Sequence, residues 1–537
     1  MSGERSATWW RSAVLYQVYP RSFADSNGDG IGDLPGVTVR LDYLNDGSAA
    51  SLQVDALWLS PFFPSPQVDF GYDVTDFTAV DPVYGTLTDF DRLLDAAHRH
   101  GMRVILDLIL NHSSTQHPWF LEAQGDRCSP RRSWYVWADP APGGGPPNNW
   151  LSSFPAVGSA WTLDERSGQY FLTTFTRAQA DLNWHNPEVR HAMHDVMRFW
   201  LSRGVDGFRL DVPHRLAKDP LLRDNPPSLA AARRFMHHAV DRQRHIDLPD
   251  VHEILRGIRA VVDEFQGCVL LGEVTISEPR RLVRYFGDSD NELHMVFDVP
   301  FWDCDWSAPS FREAIAAVDR LVPPWSLPCR AMSTHDHRRA ASRYGLLEGD
   351  GRCARLAAMM QMTLRSVPCI YYGEEIGMTD VPIRPVQTRD VDHRDASRTP
   401  MQWGAGTLGA FDPARSWLSM PDEPDRVCVL AQTADPNSLL AFYRRLLAYR
   451  HQSRPLRYGS FEWLSSGPDL LAYCRADEDE RLVILLNFAR DESSAILPPD
   501  AAVAVAELST DPRRRTGNAV AVGDPVAAQE GLILRLP

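Results

Sequence analysis

This sequence holds little that would staple a fold covalently. Cysteine is sparse, eight in 537 residues, and no pair has the C-x2-C spacing of a thiolate metal site. Cys268, Cys329, Cys369 and Cys474 stand inside apolar runs, where a free thiol behaves as a small buried hydrophobe. Neither a disulfide framework nor a zinc-type site is expected. Positive charge is also in deficit: 55 Lys plus Arg face 70 Asp plus Glu, a net charge of -15. That balance argues against nucleic acid as a partner, because phosphate backbones require clustered cations. No apolar stretch is long enough to cross a bilayer, and the opening MSGERSATWW lacks the charged, apolar, small-residue order of a secretory signal. The expectation is a cytoplasmic chain without a membrane partner, a monomer or weak homodimer. No G-x-G-x-x-G follows the first apolar run and no phosphate loop occurs, so a nucleotide fold has no support.

Present instead is ample core material, 44% hydrophobic against 23% charged residues, in a chain longer than one core usually fills. Short apolar runs recur at residues 13–19, 54–60, 102–110, 205–212, 268–274, 294–299, 329–334 and 367–372. Amphipathic segments lie between them. One places Phe90, Leu93, Leu94 and Ala97 on one face, with Thr88 as N-cap and Gly101 past its end. Another opens at Asn186-Pro187, spaces Val189, Met193, Val196 and Trp200 helically, and stops at Gly204. Eight strands alternating with helices predict a (β/α)8 barrel, with a doubly wound open sheet as the alternative.

One connection, residues 113–182, is rich in Gly, Pro and Trp and too long for a loop. It is expected to be an inserted subdomain after the third strand. The barrel then comprises residues 1–112 and 183–453, and residues 454–537 read as a C-terminal antiparallel β-sandwich from the runs at 461–463, 470–473, 482–486 and 532–536.

Polar residues interrupt several runs at their C-terminal ends, where a barrel keeps its chemistry. The third run ends in DLILNHSS with Asp107, Asn111 and His112, and the fourth in GFRLDVPH with Arg209 and Asp211. The fifth ends in LLGEV with Glu273, and the seventh in STHDHRR with His335 and Asp336. Breaking a glycosidic bond needs such a set: one carboxylate for the anomeric carbon and one carboxylic acid for the leaving oxygen. Arg209 lies two residues before Asp211 on the same strand face and is expected to keep it ionised, whereas Glu273 has to hold a proton near neutral pH. After the second run, VDFGYDVTDF adds Asp69 and Tyr72, a carboxylate and a ring of the kind that hold a pyranose.

The ordered set of these segments resembles glycoside hydrolase family 13, the α-amylase superfamily, over nearly the whole chain. QADLNW at 179–184 and RTPMQW at 398–403 resemble its oligo-1,6-glucosidase and α-glucosidase branch. The resemblance implies that Asp211 is the nucleophile, Glu273 the general acid and base, and Asp336 a third carboxylate on the sugar hydroxyls. It also implies that His112 and His335 donate to glucose hydroxyls, and that Phe154, Phe175 and Gln179 line the first glucose subsite. Asp69 pairs, in similar enzymes, with the arginine matching Arg398 to close the pocket, and Arg394 is the other candidate for that partner. A closed pocket implies exo action on small α-glucosides or oligosaccharides by hydrolysis, with a glucosyltransferase or sucrose-active enzyme using the same covalent intermediate as the alternative and an inactive binding homologue as the remote one. Thr334 stands where the family usually has Asn, and Val212 occupies a position associated with linkage choice.

The loop DSNGDGIGD sets Asp25, Asn27, Asp29 and Asp33 at oxygen-ligand spacing around a Gly turn. It lacks the closing Glu of an EF-hand. Similar family members hold a structural Ca²⁺ at this loop with the carbonyl of the residue matching Ile31, so calcium is the expected cofactor.

Overall fold

The computed structural model describes residues 8–226, 244–348, 351–384, 388–421 and 427–537. Eight strands close into a barrel: β1 (Leu15–Val18), β2 (Ala56–Leu59), β3 (Arg103–Leu108), β4 (Gly207–Leu210), β5 (Val269–Gly272), β6 (Met295–Phe297), β7 (Leu327–Ala331) and β8 (Val367–Tyr371). Each is parallel to its sequence neighbours, and β1 pairs with β8 to shut the ring. An open sheet is thereby excluded. Seven fall within the apolar runs of the sequence and β7 overlaps its run but begins two residues before it, because strands covered on both faces cannot alternate with polar residues.

The crossover helices follow their patterns. Helix α1 (Leu87–Arg99) buries Phe90, Leu93, Leu94 and Ala97, but its N-cap is Thr86 and not Thr88. Thr86 accepts from the Asp89 amide while the Asp89 side chain accepts from Thr86, and this reciprocal capping box starts the helix earlier than a lone hydroxyl would. Helix α2 (Pro187–Ser202) is capped by Asn186 and buries Val189, Met193, Val196 and Trp200.

Between β3 and β4 the chain leaves the barrel to form a three-stranded sheet and a two-stranded ladder, with a small core of Trp150, Ala160, Trp161 and Leu172. Its ladder pairs His112–Ser114 with Gln179–Asp181, so the excursion starts and ends beside the mouth of the barrel. After a short helix at Arg454–Tyr458, a six-stranded and a two-stranded antiparallel sheet enclose a second core around Val483, Leu485 and Leu534. No helix among the described residues is long and apolar enough to cross a membrane.

Candidate active site

Barrel register dictates the centre of the site. Asp107 on β3 and Arg209 on β4 are cross-strand partners, and Asp211 follows Arg209 by two residues, so all three side chains enter the same end of the barrel. Arg209 Nη1 donates to Asp107 at 2.6 Å and to Asp211 at 3.0 Å, and Nη2 reaches Glu273 at 2.6 Å. A single guanidinium thus holds three carboxylates from three adjacent strands. Asp107 also accepts from Trp58 Nε1 at 3.2 Å and Tyr72 Oη at 3.0 Å, which turns it away from the cavity and makes it the anchor of Arg209.

Val212, next to Asp211, has φ 36° and ψ 51°. A β-branched residue in the left-handed region, followed by Pro213, is strained by about 1–3 kcal/mol. The turn points the Val212 amide at Glu273, one of the influences that hold down the pKa of that carboxyl. Burial nevertheless dominates and carries Glu273 to about 8, against the pull of Arg209. Asp211 rises to about 7 for the same reason, Arg209 again opposing and Asp107 and Asp336 adding to the rise. Arg209 favours the ionised form of Asp211 as expected, but the arginine is shared three ways and desolvation outruns it. The order survives, with Glu273 the more readily protonated of the two.

Asp336 differs. Burial would raise it, but His335 at 3.0 Å together with Arg394 and Arg398 at 2.7 and 3.0 Å depress it far below the usual range. It remains a fixed anion. Asp69 is bound at 2.7 Å by Arg394 Nη2, while Arg394 Nη1 holds Asp336. The partner of Asp69 is thus Arg394 and not Arg398. Arg398 is wholly buried, with Nε on the His335 carbonyl at 2.7 Å and Nη2 on Asp336, and it does not reach the cavity. The short helical turn Arg394–Ser397 decides this by turning the first arginine toward the mouth and the second toward the barrel.

These groups line one cavity of about 430 Å³, the size of a small-molecule site. Asp69, Tyr72, His112, Phe154, Phe175, Asp211, Glu273 and Asp336 all face it. Phe154 and Phe175 sit apart from the small core of the excursion, and Phe154 lies under Arg394 with the guanidinium 5.0 Å from the ring. Gln179 and His335 stand one layer back. Gln179 Nε2 donates to Asp69 at 2.9 Å, and the His335 ring is engaged by Gln17 through Nδ1 and by Tyr72 and Asp336 through Nε2. Both position residues that reach the cavity. Burial lowers His112 to about 4, so it is neutral at physiological pH. Thr334 Oγ1 accepts the Asp336 amide at 3.2 Å, a local bond that fixes the turn carrying that carboxylate.

Sequence reasoning left out several residues here. Thr275, Asp303, His337, Asp392 and Arg215 also line the cavity. Lys218, the only lysine in the chain, is buried with Nζ 2.9 Å from Asp181 and 2.7 Å from Asn111, and it also bonds the Arg215 carbonyl. It ties the excursion to the barrel behind the site. A lone lysine in a chain whose other long cations are all arginine was a usable signal, as was the basic pair in PHRLAKD directly after the nucleophile candidate.

The Asp25 loop closes on itself. Asp25 accepts the amides of Asn27, Gly28 and Gly30, Asn27 that of Asp29, and Asp29 that of Ile31. Asp33 caps the following turn through the Gly36 amide at 2.6 Å. Among the described residues no three carboxylates, imidazoles or thiolates converge as a metal set. Asp25 and Asp33 are nonetheless buried acids with no ion pair among the described residues, and burial raises the pKa of Asp33. An oxygen-only donor set of this kind fits a hard cation.

The Alpha amylase, catalytic domain family matches residues 17–459. The chain belongs to the α-amylase family. A protein of Rhizobium meliloti (strain 1021) named a probable alpha-glucosidase is 40% identical, and the alignment covers 92% of each chain. The trehalose-6-phosphate hydrolase of Escherichia coli (strain K12) is 38% identical over 90% of this α-amylase family chain and 91% of its own. Among solved structures, an alpha-glucosyl transfer enzyme, XgtA, superposes with a TM-score of 0.89 at 36% identity, covering 98% of this chain and 99% of that one.

Proposed function

We propose that this protein is a retaining, exo-acting α-glucosidase that removes terminal α-glucosyl residues from small oligosaccharides or α-glucosides. The observation that carries the reading is Arg209, which holds Asp211 and Glu273 at 3.0 and 2.6 Å on the wall of one cavity. Two carboxyl groups gathered on one guanidinium are close enough to work on a single glycosidic bond. Asp211 attacks the anomeric carbon as Glu273 passes its proton to the leaving oxygen, giving a covalent glucosyl-enzyme. Glu273, now a carboxylate, takes a proton from water as the water releases glucose. Asp336, kept anionic by two arginines, accepts hydroxyl protons of the strained ring. Asp69 and Arg394 close the non-reducing end, which supports exo action.

A sugar hydroxyl can replace water in the second step, and the likeness to an alpha-glucosyl transfer enzyme supports transfer as a second outcome on the same intermediate. We further propose a structural Ca²⁺ held by Asp25, Asn27, Asp29 and Asp33 with the Ile31 carbonyl. Residues 113–182, proposed as a separate inserted unit, supply the aromatic wall.

Incubation with maltose, isomaltose, sucrose and starch, with products followed by chromatography and the first-formed anomer by proton NMR, tests the reading. Release of α-glucose from disaccharides with starch untouched supports it. Attack within starch, or initial β-glucose from p-nitrophenyl α-glucoside, whose leaving group contributes no glucose, overturns it.

A further inference from the structure

The end of the barrel where its strands begin, opposite the catalytic mouth, carries a second cavity of about 80 Å³, several times the space one water needs. Four arginines line it: Arg11 ahead of β1, Arg365 ahead of β8, Arg457 in the short helix Arg454–Tyr458, and Arg475 in the strand Leu470–Ala476 of the C-terminal sheet. Ser366, next to Arg365, lines it as well, and no carboxylate does. Like charges are thus gathered in a partly dehydrated hollow with no counter-ion on its wall, an arrangement that costs free energy until an anion enters.

Two of the arginines are fixed by neutral groups. Arg475 is 1% exposed, and its Nε, Nη1 and Nη2 donate to the carbonyls of Ser460, Thr363 and Gly459 at 3.0, 2.7 and 3.2 Å. Arg11 donates through Nη1 and Nη2 to the Trp325 and Pro324 carbonyls at 2.8 and 2.9 Å. Carbonyls hold these guanidinium groups in place and leave their charge uncancelled. Burial, followed by Arg450 and with Arg365 adding to them, lowers Arg475 to about 9, and burial and Arg365 lower Arg11 in turn. Asp319 and Asp290, the acids that act on Arg475 and Arg11, stand outside the lining.

The remaining donors are unmatched. Among the described residues the Arg365 guanidinium makes no hydrogen bond or ion pair, and the buried Nε of Arg457 has no partner. Ser366 is 3% exposed, and its Oγ is buried with no partner either. Guanidinium forks beside a hydroxyl match a ligand with several oxygen acceptors and negative charge. We propose that this cavity binds a phosphate dianion, free or as the headgroup of a small phosphate monoester, and so fastens the C-terminal sheet to the floor of the barrel. The site lies apart from the glycosidic chemistry and does not depend on the α-glucosidase reading.

Thermal unfolding at constant ionic strength, with inorganic phosphate, glycerol 3-phosphate or acetate added, tests the assignment. The melting temperature is expected to rise saturably with inorganic phosphate and not with acetate. In Arg365→Gln the half-saturating concentration should increase at least about tenfold, with partial retention in Arg365→Lys and a smaller loss in Ser366→Ala. The Arg365 side chain has no partner to lose, so the fold is kept, and isothermal titration calorimetry on the same variants reads binding directly. Half-saturation at a lower concentration of glycerol 3-phosphate than of inorganic phosphate supports a monoester as the ligand, and the reverse order supports the free anion. No rise, an equal rise with acetate, or a rise that is linear in phosphate and unchanged in Arg365→Gln overturns the site, the last being the general stabilisation by an excluded salt.

Discussion

Arg394 Nη2 lies 2.7 Å from Asp69, across 325 residues of sequence, and the same guanidinium holds Asp336 at 2.7 Å. This pair closes one end of the cavity. Arg394→Gln leaves three carboxylates, Asp69, Asp336 and Asp390, short of a cation, so kcat/KM on p-nitrophenyl α-glucoside is expected to drop about 10²-fold or more, KM rising along with the loss in kcat. Arg398→Gln should instead show mainly in thermal unfolding, because that side chain does not reach the cavity. Equal kinetic damage from both would remove the distinction.

Asp211→Asn keeps shape and removes charge. Turnover is expected to fall at least about 10³-fold while the circular dichroism spectrum is unchanged. Near-normal turnover would take Asp211 out of the mechanism.

The two raised carboxyls set the pH profile. With Asp211 near 7 and Glu273 near 8, kcat/KM is expected to be bell-shaped. It falls on the acid side as Asp211 takes a proton and on the alkaline side as Glu273 loses one. Because both folded pKa values exceed their unfolded ones, each group favours the native state below about pH 4, and that contribution is lost as pH rises through the folded value. Glu273→Gln should therefore gain in relative melting temperature between about pH 5 and 8, which differential scanning calorimetry reads. A variant that loses stability steadily across that range would contradict the assignment.

Lys218→Met strands Asp181 behind the site. Breaking one partner of a buried pair typically costs about 3–5 kcal/mol, so the urea midpoint should fall sharply. Since Lys218 is the only lysine and is buried, amine-reactive labelling of its side chain should be slow in the native protein and rapid once unfolded. Fast native labelling would show that the contact opens readily.

Calcium is tested by chelation. EDTA is expected to lower the melting temperature, and excess Ca²⁺ to restore it, by an amount near 2–3 kcal/mol when free metal is about a hundredfold above Kd. Asp25→Asn should abolish the response. An EDTA-insensitive melt would leave the loop as a chain of Asx turns.

Local chemistry made much of this protein readable from the chain. Continuous apolar runs with polar ends specified eight barrel strands and the residues at their mouths, since a strand buried on both faces tolerates a carboxylate only where it leaves the sheet. Helix α2 was equally plain, its Asn186 cap and Pro187 start being contiguous signals. Pairings between distant segments were not encoded in that way. Whether Arg394 or Arg398 meets Asp69 depends on a helical turn between them, and neither spacing nor residue type distinguishes the two. The sharing of Arg209 among Asp107, Asp211 and Glu273 comes from inter-strand register, and the raised pKa values come from desolvation inside the closed barrel. The chain by itself settled which strand ends bring carboxylates to the mouth. Tertiary structure alone decided which charges pair and which are stripped of water, because both are properties of three-dimensional packing.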